Sequence, residues 1–140
     1  MNFTVMGNIV NARYHRLLEQ THFLKHIPYC SKEELIKHYR DSDIFVMPSK
    51  RETFGLVYAE AMSQALPIVF SRGQGFDGQF PEGEVGYSVK YNSPTEVADR
   101  IEQILNNYDA ISQRALSSSE RYRWFYIARE YAKLYSEHKL

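Results

Sequence analysis

Two glutamates eight positions apart, Glu52 and Glu60, have the type and setting in this chain that most suggest chemistry. Glu52 lies in a polar loop, Ser49 to Thr53, that leads into Phe54-Gly55. Glu60 lies within the apolar-periodic segment Leu56 to Ala65, flanked by Tyr58, Ala59, Ala61 and Met62. A carboxylate on so apolar a face needs partners, because burying it unpaired is costly. One partner it suits is a pair of vicinal hydroxyls, from which it accepts two hydrogen bonds at once. Gly55 permits a positive φ or a close approach to the backbone. The N–H groups of Phe54, Gly55 and Leu56 open a helix, a setting that favours anions. Lys50-Arg51 places two cations beside the same loop. Together these features suit a hydroxyl-rich, phosphate-bearing ligand. Each also has a plainer reading. Glu60 would then be a solvated helix acid and Gly55 an ordinary helix start. Lys50-Arg51 would be solvated surface, and Glu52 a charge that offsets a helix N-terminus by about 0.3–1 kcal/mol.

The elements that must position these residues form one βαβ unit. Ile44-Phe45-Val46-Met47, closed by Pro48, reads as a strand, Leu56–Ala65 as a helix, and Pro67-Ile68-Val69-Phe70 as a second strand. In parallel α/β sheets ligands bind outside the carboxyl ends of strands, where Ser49–Gly55 falls. Upstream, Phe3-Thr4-Val5-Met6, ended by Gly7, reads as a buried strand. Ala12–Gln20 reads as a helix with Leu17 and Leu18 as its apolar face. His22–His26 reads as a strand that Pro28 stops. Ser31 and Glu34 form a capping box ahead of Leu35, Ile36 and Tyr39, so a helix runs to about Arg40. Downstream, Ser71–Gly75 is a loop and Gly86–Val89 a short strand. Asn92-Ser93-Pro94 starts a helix that continues through Val97, Ile101, Ile104 and Leu105. From Tyr108 onward there is no strand signal, and Trp124, Ile127, Ala128, Tyr131, Leu134 and Tyr135 share one helical face. Alternating strands and helices predict an α/β fold. It is a doubly wound, Rossmann-like parallel sheet of about five strands with right-handed crossovers and C-terminal helices.

Composition removes several classes of function. The chain has 140 residues, 44% hydrophobic and 24% charged, which fits one domain with a core. Its 17 basic and 17 acidic residues balance, so bulk charge makes no case for nucleic acid or an anionic membrane. The single cysteine, Cys30, excludes an intrachain disulfide and suits a reducing compartment. Neither a signal peptide nor an apolar run of about 20 residues is present. His15, His22, His38 and His138 have no ligand spacing, so no metal site is expected, and His38 reads as a helix-surface residue.

The ordered residues Pro48-Ser49, Glu52, Phe54-Gly55-Leu56, Glu60-Ala61-Met62 and Pro67-Ile68-Val69 closely resemble the donor-binding domain of the group 1 glycosyltransferases (glycosyltransferase family 4, GT-B fold). Phe3–Gly7, His22–His26, Ser31–Tyr39 and the segment from Trp124 to Tyr135 extend the likeness over nearly the whole chain. The resemblance implies a retaining transfer of a sugar from a nucleoside diphosphate sugar to an acceptor, in glycan or polysaccharide biosynthesis. It implies no cofactor beyond the donor, and a cytoplasmic location, with peripheral membrane association open to the full-length enzyme. In its terms Glu60 accepts from the nucleotide ribose and Glu52, the catalytic candidate, lies near the sugar's anomeric centre. Ser49, Phe54, Gly55, Leu56, Gly73 and Gly75 meet phosphate and sugar, and the backbone of His26, Ile27 and Pro28 meets the nucleobase.

Three departures bear on that reading. No Gly-Arg strand and Lys-Gly helix start, which neutralise the donor diphosphate in the family, precede Phe3. The acceptor domain, which would receive a glycan or lipid-linked acceptor, is absent. The family's Gly-Gly-x-x-Glu loop reads Gly73-Gln74-Gly75-Phe76-Asp77, and its usual glycine after the motif helix is Ala65. Residues 1–140 are therefore expected to be most of a donor domain, inactive alone and prone to self-association. The alternative is a non-catalytic nucleotide-binding module or one subunit of a split transferase.

Overall fold

The capping box forms as its residue types require. The Glu34 carboxylate accepts the Ser31 N–H at 2.8 Å, and the Ser31 hydroxyl accepts the Glu34 N–H at 3.3 Å. The Ser31 N–H, and after it the Ser31 side chain, hold the Glu34 carboxyl below the usual range, and helix α2 (Lys32–Arg40) follows. In this computed structural model, which describes residues 1–137, the chain divides inside α2. One compact unit is Met1–His38 and the other begins at Tyr39. His138 lies outside the described residues.

The first unit holds β1 (Phe3–Met6), α1 (Ala12–Glu19) and β2 (Leu24–Ile27). The two strands are parallel, from Phe3 opposite Leu24 to Met6 opposite Ile27. Asn11 caps α1 by accepting the Arg13 N–H at 2.9 Å. Contrary to expectation β1 is not buried: Phe3 is 37% and Val5 39% exposed. β2 is its one neighbour in a two-stranded sheet, and α1 buries no residue, so neither element encloses the strand. β2 starts later than its sequence suggests, because the Leu24 N–H closes a turn on the Thr21 carbonyl at 3.0 Å. His38 is half-buried rather than a surface residue.

The second unit holds β3 (Phe45–Val46), α3 (Leu56–Met62), β4 (Ile68–Ser71), β5 (Gly86–Val89), α4 (Pro94–Leu105), α5 (Tyr108–Ser119) and α6 (Trp124–Glu137). Its strands run parallel in the order β3-β4-β5. The expected number of strands, five, is present, but in two sheets rather than one: a parallel pair in the first unit and three parallel strands in the second. All four residues of β4 are buried, as a strand covered on both faces requires. Side chains alternate along a strand. Val69 packs into a cluster with Val89, Ile101, Ile104 and Ile111. Phe70, the next residue, meets the rings of Tyr58 and Phe76. Burying each such apolar side chain contributes about 1.5–3 kcal/mol.

The β4–β5 connection departs from simple strand–helix alternation. It contains no helix, and Phe76, 1% exposed, plugs the face from within the loop instead. Ser93 and Pro94 start α4 as expected, with the Ser93 hydroxyl accepting the Glu96 N–H at 3.4 Å. α6 is fourteen residues long and buries none of them. No described helix is long and apolar enough to cross a membrane.

Candidate functional site

β3 and β4 are adjacent and parallel, so the loops that leave them emerge at the same edge of the sheet. Tertiary hydrogen bonds stitch these loops together. Ser71, at the end of β4 and buried, donates its hydroxyl to the Ser49 carbonyl at 2.7 Å. Tyr58 of α3, fully buried, donates its phenol to the Met47 carbonyl at 2.6 Å. Burial and the nearby Glu52 charge push the Tyr58 phenol up to about 12, so it stays a neutral donor at ordinary pH.

Farther out, the Glu52 backbone is held on both sides of its Cα. Its N–H donates to Gln74 Oε1 at 2.9 Å, and its carbonyl accepts the Gly75 N–H at 3.1 Å. The Glu52 carboxylate accepts the Thr53 N–H at 3.0 Å. Gly75 has no room for a side chain, because a Cβ there would lie 1.7 Å from the Thr53 carbonyl oxygen. Gly55 precedes α3 with φ 79°, and a Cβ would lie 2.3 Å from the Tyr58 ring. Both constraints keep the loops close to each other and to α3. Gly73 donates its N–H to Asp77 Oδ2 at 2.6 Å, so the aspartate at the family's glutamate position shapes the loop that contains it.

A third segment braces the Glu52 loop. Phe54, 45% exposed, stands edge-on to Tyr122 at 6.2 Å between ring centroids. Tyr122 belongs to the 3-10 turn Glu120–Tyr122 between α5 and α6. Its ring also neighbours Phe76 and Phe80, and its hydroxyl donates to Gln79 Oε1 at 2.5 Å. Burial pushes this phenol up as well.

The structure therefore brings together Ser49, Glu52, Phe54, Gly55, Gly73 and Gly75, with Leu56 at the first position of α3 and Glu60 one turn along it. Glu52 and Glu60 are half-buried, while Lys50 and Arg51 are exposed. His26, Ile27 and Pro28 belong to the first unit. There His26 Nε2 lies 2.8 Å from the Gly7 carbonyl oxygen, and Ile27 closes the strand pair opposite Met6. Four residues of the assembly were not singled out by sequence reasoning: Tyr58, Ser71, Gln74 and Tyr122. Only Gln74 carried a signal, as a side chain with an acceptor between two loop glycines. A concavity of about 580 Å³ runs along α6 and the turn before it, past Arg121, Tyr126, Ile127, Tyr131 and Leu134. None of its lining residues belongs to the two loops. Among the described residues, no group of three or more His, Cys, Asp or Glu side chains is placed to hold a metal ion.

The model of the family Glycosyl transferases group 1 matches residues 3–123, a span that contains both loops, α3 and Tyr122. This chain belongs to that family. Among curated relatives, the D-inositol 3-phosphate glycosyltransferase of Corynebacterium urealyticum is 35% identical over 116 residues, 81% of this chain and 27% of its own length. Sulfoquinovosyl transferase SQD2 of Arabidopsis thaliana is 36% identical over 98 residues, 66% of this chain and 19% of its own length. The chain thus spans about a quarter or less of these relatives. Among solved structures, Anabaena Alr3699/HepE in complex with UDP-glucose superposes over 97% of this chain and 41% of its own, with a TM-score of 0.81 and 19% identity. The C-terminal domain of a glycosyl transferase group 1 family protein (LpcC) from Francisella tularensis covers 76% of this chain and 60% of its own, with a TM-score of 0.66 and 23% identity. The fold of this chain is accordingly the Rossmann-like α/β fold of GT-B enzymes.

Proposed function

We propose that the loops after β3 and β4 form the donor site of a glycosyltransferase. It takes a nucleoside diphosphate sugar and passes the sugar to an acceptor with retention of configuration. The observation that carries this reading is the hold on the Glu52 backbone at both its N–H and its carbonyl, at the carboxyl ends of two adjacent parallel strands. Glu52 is the acid kept beside the reacting sugar, where its negative charge stabilises positive charge developing at the anomeric carbon. Glu60 accepts from the ribose hydroxyls. Ser49, Phe54, Gly55, Leu56, Gly73 and Gly75 line the path of the diphosphate and sugar. Residues 1–140 act as the donor part of a longer enzyme of glycan or polysaccharide synthesis, working in the cytoplasm without a metal or further cofactor. Separated from the acceptor part, they bind the donor without transferring it, and self-associate.

The structures that share this fold with UDP or a UDP-sugar bound make UDP the natural probe. UDP should bind the chain in a calorimetric titration. Glu60→Ala should weaken that binding by about 1.5–3 kcal/mol, the range for hydrogen bonds to a charged group. The fold should survive, since Glu60 is half-buried and leaves no large core void. An unchanged dissociation constant would remove the ribose role, and no binding by the parent chain would remove the donor site.

A further inference from the structure

We propose that Gln74 is a positioning residue, acting through the Glu52 backbone to set how a sugar is held at the donor site. The inference rests on the donor-site reading above. The Glu52 N–H can only donate, so whatever meets it must be an acceptor. Gln74 Oε1 fills that place at 2.9 Å, while its Nε2 lies 3.3 Å from the Gly73 carbonyl oxygen. The amide is thereby oriented by a partner at each end. It reaches from the β4 loop to the β3 loop, across 22 residues of sequence.

On the other side of the Glu52 Cα, in the next peptide group, the Gly75 N–H holds the Glu52 carbonyl at 3.1 Å. With the peptide groups on both sides of its Cα anchored, Glu52 is restricted in φ and ψ, so the direction in which its side chain leaves the loop is set. With the Gln74 acceptor gone, one anchor remains, and the N–H of a half-buried residue loses its partner. The family pattern has glycine at this place, and glycine has no side-chain acceptor to offer. Gln74 is thus a contribution of this sequence. It bears on the group nearest the sugar rather than on Glu60, which belongs to α3.

The test compares parent, Gln74→Leu and Gln74→Glu chains. Glutamate keeps an oxygen acceptor for the Glu52 N–H, whereas leucine keeps the approximate bulk without one. Calorimetry gives the affinities for UDP and for UDP-glucose, and the quantity of interest is their ratio. Gln74→Leu should change that ratio about tenfold and leave UDP affinity within twofold of the parent. Gln74→Glu should restore the parent ratio. Hydrogen exchange at the Glu52 amide should quicken at least tenfold in Gln74→Leu and stay slow in Gln74→Glu. A general structural defect would lower both affinities together. Equal losses for the two ligands, an unchanged ratio, or a Gln74→Glu chain that behaves like Gln74→Leu would overturn the positioning role and leave the donor site standing. A parent chain that binds neither ligand would overturn both.

Discussion

Glu52 and Glu60 are chemically alike, and their surroundings hold them in different ways. Glu60 belongs to a helix whose neighbouring residues Ala59, Ala61 and Met62 are buried, so its backbone is fixed by core packing. Glu52 is on a loop, and hydrogen bonds from a second loop do that fixing instead. Tyr58 links the two settings. It is buried, its phenol holds the base of the Glu52 loop, and burial together with the Glu52 charge raises its pKa to about 12. The folded state therefore retains the phenolic proton where the unfolded chain, with a tyrosine near 10, would release it. Unfolding free energy should be insensitive to Tyr58 below pH 10 and fall by roughly 1–2 kcal/mol as pH rises from 10 toward 12. Tyr58→Phe should lower stability at neutral pH by about 1 kcal/mol through the lost hydrogen bond. It should also flatten that alkaline decline. Denaturant titrations of both chains at pH 8, 10 and 11.5 would reveal it, and parallel pH profiles would exclude Tyr58 as the titrating group.

At the scale of the element, the end of α3 shows what a local departure costs. The Leu66 N–H reaches the Ala61 carbonyl at 3.2 Å, and the Ala65 N–H reaches the Met62 carbonyl at 2.9 Å. This is the Schellman pattern of helix termination, with residue 65 in the left-handed position that glycine normally takes. Ala65 adopts φ 65°, and among the described residues it is the one non-glycine with positive φ. A Cβ in that conformation costs about 1–2 kcal/mol. The expected helix to Ala65 ends instead at Met62, and the turn that follows is held because the Ser112 hydroxyl of α5 donates to the Ala65 carbonyl at 2.7 Å. Ala65→Gly should relieve the strain at a smaller loss in unfolded-chain entropy, for a net gain of about 0.5 kcal/mol. An upward shift of the denaturation midpoint would register it. A downward shift would mean that the Ala65 methyl contributes packing that outweighs the strain.

At the scale of the whole molecule, α6 stands out. A fourteen-residue helix is marginal alone in water, yet this one buries none of its side chains, and Trp124 is 82%, Phe125 71% and Tyr135 77% exposed. Contiguous exposed apolar surface of this kind drives association. The 140-residue chain should therefore show a mass in light scattering that rises with concentration, and Trp124→Ser with Tyr135→Ser should reduce that rise. A monomer that stays clean at high concentration would dispose of the idea.

What could be read in the residues alone was the part that local chemistry dictates. Ser31 with Glu34, and Ser93 with Pro94, mark helix starts because a cap satisfies N–H groups within one turn. The run before Ser71 marks a strand because a continuous apolar stretch suits a strand buried on both faces. The motif from Pro48 to Phe70 placed Glu52 on a loop and Glu60 on a helix, and both lie there. Tertiary structure decided the rest, because those features depend on groups far apart in the chain. β1 reads as buried, since apolar residues do not reveal whether a second layer covers them. Phe76 is buried from within the β4–β5 loop, which no periodicity encodes. Gln74 meets Glu52 across 22 residues, and Tyr122 meets Phe54 from beyond α5. A hydrogen bond or ring contact at such separation leaves no local pattern, and becomes visible only when parallel strand pairing has brought the two loops to one edge of the sheet.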